Sequence, residues 1–381
     1  MFEASRAKAL NQLDNFVENN LAEYSRLRNF DFGPEKRSNV SCLSPYITHG
    51  IINEKEVIQK SLNKFSFSKN EKFIQEVLWR TYWKGWLELR PNVWTDYLVE
   101  LNQIKNEFQN NEDYLSAIDG KTNIDCFNEW VRELKENNYL HNHTRMWFAS
   151  IWIFTLRLPW QKGAEFFMKH LFDGDAASNT LSWRWVAGIQ TKGKNYIAHA
   201  WNISKFTKKR YQSVTLNENA VPLIDRREYK LRPLNLNYEA GSNENLIVFE
   251  NELNLENQKL KEYKNIYLIL LTNKIRKIKF EKKILDYKIK LIRDQKKRFN
   301  KIQLMDEVKF QPITEKIKSF DMIYPCVGEN YSFINNMKKK NNLKLNIILR
   351  DEDKFSWQFS NKGFFNFKNN IIKIFNKFNL N

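Results

Sequence analysis

At 381 residues with 42% hydrophobic content, the chain is long enough for two domains with full cores and too apolar to remain unfolded. Three isolated cysteines, Cys42, Cys126 and Cys326, with no metal-ligand spacing, no run of eighteen apolar residues and no signal-peptide core, exclude a disulfide framework, a four-thiolate cluster and a membrane span, so a soluble cytoplasmic protein with reduced thiols and no bound metal is expected. The net charge of +18 and the twelve tryptophans suit an acidic, aromatic partner such as nucleic acid or a flavin, although Lys and Asn are abundant throughout and a general compositional bias gives the same sign.

Residues 1–30 read as an amphipathic helix, with Ala9, Leu10, Leu13, Phe16 and Val17 at helical spacing. Phe32-Gly33-Pro34 interrupts the chain, and Val40 to Tyr46 opens the next helix, with Ser44 as N-cap and Pro45 at the first helical position. Free N–H groups and the helix dipole at such a start attract anions, and an ordinary capped helix is the plainer reading. Phe73 to Trp86 forms a helix that places Glu76, Trp79, Arg80 and Trp83 on one face, which is not a normal core stripe. Asp119 to Thr122 marks a turn before a helix from Phe127 to Lys135.

The stretch from His141 to Trp185 concentrates the costliest residue types. Arg145, Asp173, Asp175 and Asn179 stand among Ile151, Phe154, Leu158, Phe166, Phe167 and Leu171. Buried charge persists only when it is paired or binds something, so either a structural Arg–Asp pair or a ligand site is implied. Helical spacing puts Asn142, Arg145 and Met146 on one face. Lys192, Lys194, Lys205, Lys208, Lys209 and Arg210 follow as a basic cluster that suits either a phosphate backbone or a solvated surface. Residues 213–243, with Pro222, Pro233 and Gly241, read as a linker between a helical domain over 1–212 and a smaller domain over 244–381. In the latter, Leu246 to Phe249, Ile266 to Leu271, Met322 to Tyr324 and Leu345 to Leu349 read as strands, and Phe280 to Phe299 as a basic helix, implying a small parallel α/β domain.

His-Asn-x-x-Arg-Met at 141–146, Asp-Gly-Asp-x-x-x-Asn at 173–179 and Trp-x-Trp at 183–185 together resemble the flavin-binding domain of the photolyase and cryptochrome family. Ser41-Cys-Leu-Ser44 is similar to that family's phosphate-holding stretch, with Val40 where the family often has Thr, and Glu76-x-x-Trp79-Arg80 is similar to its lesion-facing helix. The turn after Gly120 departs from the pattern, having Asn123, Asp125 and Asn128 in place of Gly, Pro and Asp. The resemblance covers about Tyr24 to Trp201 and implies a mainly α fold: a helical FAD-binding domain followed by a smaller C-terminal α/β domain.

By that resemblance Tyr24, Ser41, Leu43, Ser44, Arg80, Arg145, Asp173, Asp175 and Asn179 line FAD, and Glu76, Trp79, Asn142, Met146 and Trp185 surround the lesion. Trp183 and Trp160 carry electrons to the flavin, with only Phe108 and Tyr114 aromatic near the expected third member. Arg28, His143, Lys192 and Lys194 contact DNA, His143 standing where relatives usually carry Arg. The implied function is light-driven repair of cyclobutane pyrimidine dimers in damaged DNA by a monomeric deoxyribodipyrimidine photo-lyase. The (6-4) branch of the family has histidines where this chain has Asn142 and Met146, neither of which can donate a proton near neutral pH. A cryptochrome-like FAD photoreceptor and a flavin-free DNA-binding remnant are the alternatives. Val248 to Asn257 is similar to the opening strand and turn of the family's antenna domain, leaving a permuted antenna domain and an unrelated α/β module both open.

Overall fold

The computed structural model describes residues 2–234, 242–256 and 259–380. Among the described residues twelve α-helices precede the first strand: α1 (Arg6–Asn19), α2 (Tyr24–Leu27), α3 (Ser44–Thr48), α4 (Glu54–Lys64), α5 (Phe67–Glu88), α6 (Asn92–Gln103), α7 (Glu112–Asp119), α8 (Asp125–Asn137), α9 (Asn142–Ser150), α10 (Trp160–His170), α11 (Ala176–Val186) and α12 (Ala200–Phe206). The expected single helix over 1–30 is divided. Asn20 leaves helical geometry after bonding the Phe16 carbonyl, as Asn favours at helix ends, and the new direction carries Tyr24 of α2 to α5. Helix α3 begins at Ser44 with Leu43 at the N-cap, so Ser44 does not cap it. In the turn after Gly120, Asn128 accepts from the Thr122 amide and hydroxyl and donates to its carbonyl, which closes the turn without the family's residues.

The second part is a doubly wound sheet: β1 (Asn245–Phe249), β2 (Asn265–Ile269), α13 (Lys282–Arg298), β3 (Ile302–Met305), α14 (Glu307–Lys316), β4 (Ser319–Ile323), α15 (Glu329–Asn341) and β5 (Lys344–Ile348). All strands run parallel in the order β3-β2-β1-β4-β5, which places the topological switch point between β1 and β4. Alternation along β1 serves two cores, because successive side chains point to opposite faces. Leu246 and Val248 join the core that continues into the helices, while Ile247 and Phe249 pack with Phe320, Met322 and Trp357 on the other face.

Three helices, α16 (Asp351–Trp357), α17 (Phe364–Lys368) and α18 (Ile371–Phe378), return from the sheet to the helical part. Helices α16 and α17 pack against α5. The stretch expected as a linker is pinned where it is described: the Leu223 amide donates to Ala187 O, Arg184 pairs with Asp225 at 3.1 Å, and Tyr229 donates to Asp96. Residues 235–241, including Gly241, and Asn257 lie outside the described residues.

Candidate active site

Asp173 is the hub. It is 6% exposed, and its Oδ2 accepts from Arg145 at 2.8 Å and from the Ser44 hydroxyl at 2.5 Å. Its Oδ1 is buried with no hydrogen-bond partner, a costly arrangement unless a ligand donor completes it. Arg145 anchors its Nε on the Leu140 carbonyl and its guanidinium over the Tyr139 ring at 5.0 Å. Burial pushes its pKa down, but Asp173 and the Tyr139 hydroxyl overcome that and raise it. Its side chain stays 22% exposed against 3% for that of Asp173, so the pair is reached from the arginine side. Ser44, expected at the phosphates, gives its hydroxyl to Asp173 instead; Ser41 and Leu43 lie beside it, with Gln12 bonding the carbonyls of Ser41 and Cys42.

Asp175 caps α11, taking the amides of Ala177 and Ser178, and pairs with Arg80 at 2.8 Å. Burial would raise its pKa, yet Arg80 and the Ser178 amide bring it below the usual carboxylate range. Arg80 reaches Glu54 at 3.6 Å, and Arg350 meets the same carboxylate at 3.0 Å. Burial opposes ionisation of Glu54, but Arg350, Lys84 and Arg80 hold it at about 2. Sequence reasoning missed Glu54, whose only local signal is its place in the first turn after the Asn53 cap. Asn179 donates its Nδ2 to Ala164 O at 2.9 Å, and no protein donor meets its Oδ1 among the described residues.

Residues expected at the lesion fall into three settings. Glu76 is engaged, accepting from the Tyr24 hydroxyl and pairing with Arg28, so Tyr24 and Arg28 are tied to it. Trp79 stacks on Phe364 of α17 at 3.7 Å between centroids and 11° between planes, so one of its faces is covered. Asn142, Met146 and Trp185 remain accessible to differing degrees, Asn142 being exposed and Trp185 stacked on Tyr196. His141 is buried and caps α9, and burial holds it near a pKa of about 4 despite the Asp31 carboxylate. His143, lowered chiefly by burial, stacks on Trp147 and uses its ring nitrogens on Asn29 O and the Tyr196 hydroxyl. The residue is half-buried, with both ring nitrogens engaged by the protein. Lys192 and Lys194 are exposed, Lys192 lying 3.8 Å from Glu228.

Trp183 is 2% exposed and packs at 6.2 Å against Trp152, whose ring lies 6.0 Å from Tyr114. Trp160 instead stacks on Tyr97 at 5.3 Å. Trp152 escaped sequence reasoning because a tryptophan on a buried helix reads as core. Between α5 and the carboxyl end of the sheet, Arg80, Lys84, Glu88, Arg276, Lys288 and Gly328 line a cavity of about 70 Å³, room for water but well below the size of ordinary ligand pockets.

A helical part that leaves a buried carboxylate oxygen and an amide oxygen without a protein donor among the described residues has the unmet hydrogen bonding of a cofactor-binding domain. Residues 73–230 match the family model described as the FAD binding domain of DNA photolyase. FAD is the cofactor of these domains, and the unused Asp173 oxygen with its partner Arg145, whose side chain is part-exposed, fits a group that offers both a donor and an acceptor. The chain is 27% identical over 200 residues to a deoxyribodipyrimidine photo-lyase of Vibrio cholerae, covering 51% of this chain and 41% of that protein. A deoxyribodipyrimidine photo-lyase of Streptomyces griseus is 31% identical over 152 residues, 40% of this chain and 32% of that one. A crystal structure of a bacterial class III photolyase from Agrobacterium tumefaciens aligns over 54% of this chain and 43% of that chain with 27% identity and a TM-score of 0.45. The chain thus spans less than half the length of these relatives. No helix among the described residues is long and apolar enough to cross a membrane.

Proposed function

We propose that the protein repairs cyclobutane pyrimidine dimers in DNA by light-driven electron transfer. Tyr24, Ser41, Leu43, Arg80, Arg145, Asp173, Asp175 and Asn179 would hold FAD, Ser44 acting through Asp173. When bound and reduced, FAD supplies a photoexcited electron that splits the cyclobutane ring and then returns, so no net oxidation occurs. Positioning is the protein's share. The observation that carries the choice of lesion is the accessible rim on α9: Asn142 and Met146 present an amide and a thioether, while His141 is buried and His143 is half-buried with both ring nitrogens engaged by the protein. Neither Asn142 nor Met146 can donate a proton near neutral pH, which suits ring splitting and not the proton-dependent (6-4) chemistry. A dinucleotide leaving the stack is cheaper to extrude at a lesion than in intact duplex.

The stacking of Phe364 on Trp79 favours a second reading, a photoreceptor without repair, because one expected lesion contact is covered. Illumination of the reduced protein with oligonucleotides carrying each lesion separately separates the two. Restoration of the cyclobutane substrate alone is expected; restoration of the (6-4) substrate, or of neither while FAD is bound and reduced, would reject the proposal.

A further inference from the structure

Helix α12 carries Trp201, whose side chain is 62% exposed, an unusual state for the largest apolar residue in a chain that buries most of its tryptophans. Trp201, Ser204, Lys205, Lys208 and Lys209 together line an open hollow of about 550 Å³. None of the three lysines has an acidic partner among the described residues, whereas many other surface cations here are paired. The backbone is forced to aim two of them. Lys208 and Lys209 adopt φ of 51° and 62°, the left-handed region that non-glycine residues seldom enter, and two in succession need fixing from outside. The Lys209 amide donates to Ser204 O at 2.7 Å, and Arg210 donates to Asp31 O at 2.8 Å. Two acidic groups touch this segment, and both are engaged: Glu218 by His199 and the Ala200 amide, and Asp31 by Arg210 at 3.2 Å.

The helix that carries this surface packs against the candidate site. Asn202 of α12 accepts from the Trp147 indole at 3.0 Å, and Phe206 packs 5.1 Å from His143, both on α9, the helix whose first residue is the exposed Asn142. Lys205 and Lys208 lie over the rings of Phe206 and Phe32, which leaves their charge unneutralised, and an exposed indole beside such lysines combines base stacking with phosphate attraction, the pairing that holds single strands without sequence preference. Duplex bases, stacked on each other, offer the indole no face.

We infer that Trp201, Lys205, Lys208 and Lys209 form a landing platform for single-stranded DNA flanking the lesion, one base stacked on Trp201 and neighbouring phosphates on the lysines. This rests on the repair reading for the word lesion, but the platform itself needs neither lesion nor light. Binding of undamaged fluorescein-labelled dT12, and of an abasic dodecamer, to the FAD-loaded full chain in the dark tests it. Trp201→Ala is expected to weaken dT12 binding by about 5- to 100-fold and to leave the abasic strand unaffected, with Trp201→Phe retaining most of the affinity. Changing Lys205, Lys208 and Lys209 together to Gln should reduce the salt dependence of log K by about 2 for both strands. The platform is overturned if wild type does not bind dT12 at low salt, if Trp201→Ala is silent, if it weakens the abasic strand equally, or if polyglutamate competes as well as dT12. Intact platform behaviour with no dimer repair would instead reject the proposed function alone.

Discussion

Trp152 makes the buried aromatic groups continuous, linking Trp183 on one side to Tyr114 on the other. Trp160, by contrast, faces Tyr97. Photoreduction of bound FAD should therefore slow in Trp183→Phe, Trp152→Phe and Tyr114→Phe, measured as flavin bleaching under blue light with an external reductant. Unchanged rates in Trp183→Phe and Tyr114→Phe would reject this route. A second residue-scale expectation concerns His170, which burial first and then Lys135, Lys169 and Lys283 hold at about 4. The unfolded imidazole titrates near 6.5, so between these values the unfolded chain binds more protons and stability falls as pH drops. For this one group the loss at pH 5 is about 2 kcal/mol. Glu88 and Glu133, raised mainly by burial to about 7, act in the opposite sense, so a difference measurement is needed. His170→Gln should gain about 2 kcal/mol relative to wild type in urea denaturation between pH 7.5 and pH 5. A pH-independent difference would count against a neutral buried imidazole.

At the scale of elements, glycines decide how closely helices approach. A Cβ at Gly163 of α10 would lie 2.2 Å from the Trp183 ring, and one at Gly85 of α5 would lie 2.5 Å from the Trp357 ring. Alanine raises helix propensity by about 1 kcal/mol over glycine, but overpacking costs about 1–3 kcal/mol when the neighbour is rigid. Overpacking should win at both positions. Gly85→Ala is expected to lower stability by about 1–2 kcal/mol net in urea melts. Gly163→Ala should lose a similar amount and also slow photoreduction by shifting Trp183. Stabilisation by either substitution would show that the indoles can give way.

For the whole molecule, the helical part and the sheet share one apolar core and a set of buried ion pairs. Lys84 of α5 meets Glu252, just after β1, at 2.5 Å, each side chain 7% exposed. Glu88 accepts from the Tyr324 hydroxyl at 2.7 Å and the Val327 amide at 2.6 Å. Removing one member of a buried pair leaves the other uncompensated, at about 3–5 kcal/mol. Lys84→Met is expected to lose stability on that scale, and calorimetry should show both parts still unfolding in a single transition. Two separated transitions in wild type would show that the parts fold independently.

The sequence alone determined the polar constellation from His141 to Asn179 and the change from helical to strand periodicity after the linker, because burying charge is costly enough to leave a local signature and because periods of 3.6 and 2 are properties of neighbouring residues. It implied a buried Arg–Asp pair without saying which carboxylate Arg145 would take, and the fold gives it Asp173 while Asp175 goes to Arg80. Tertiary structure alone decided that Arg80 would divide itself between Asp175 and Glu54, that Ser44 would turn to Asp173, that Phe364 would cover Trp79 and that Trp152 would join Trp183 to Tyr114. Periodicity records which face of a helix is buried but not what covers it. The covering groups come from distant parts of the chain, brought there by packing that no local pattern encodes.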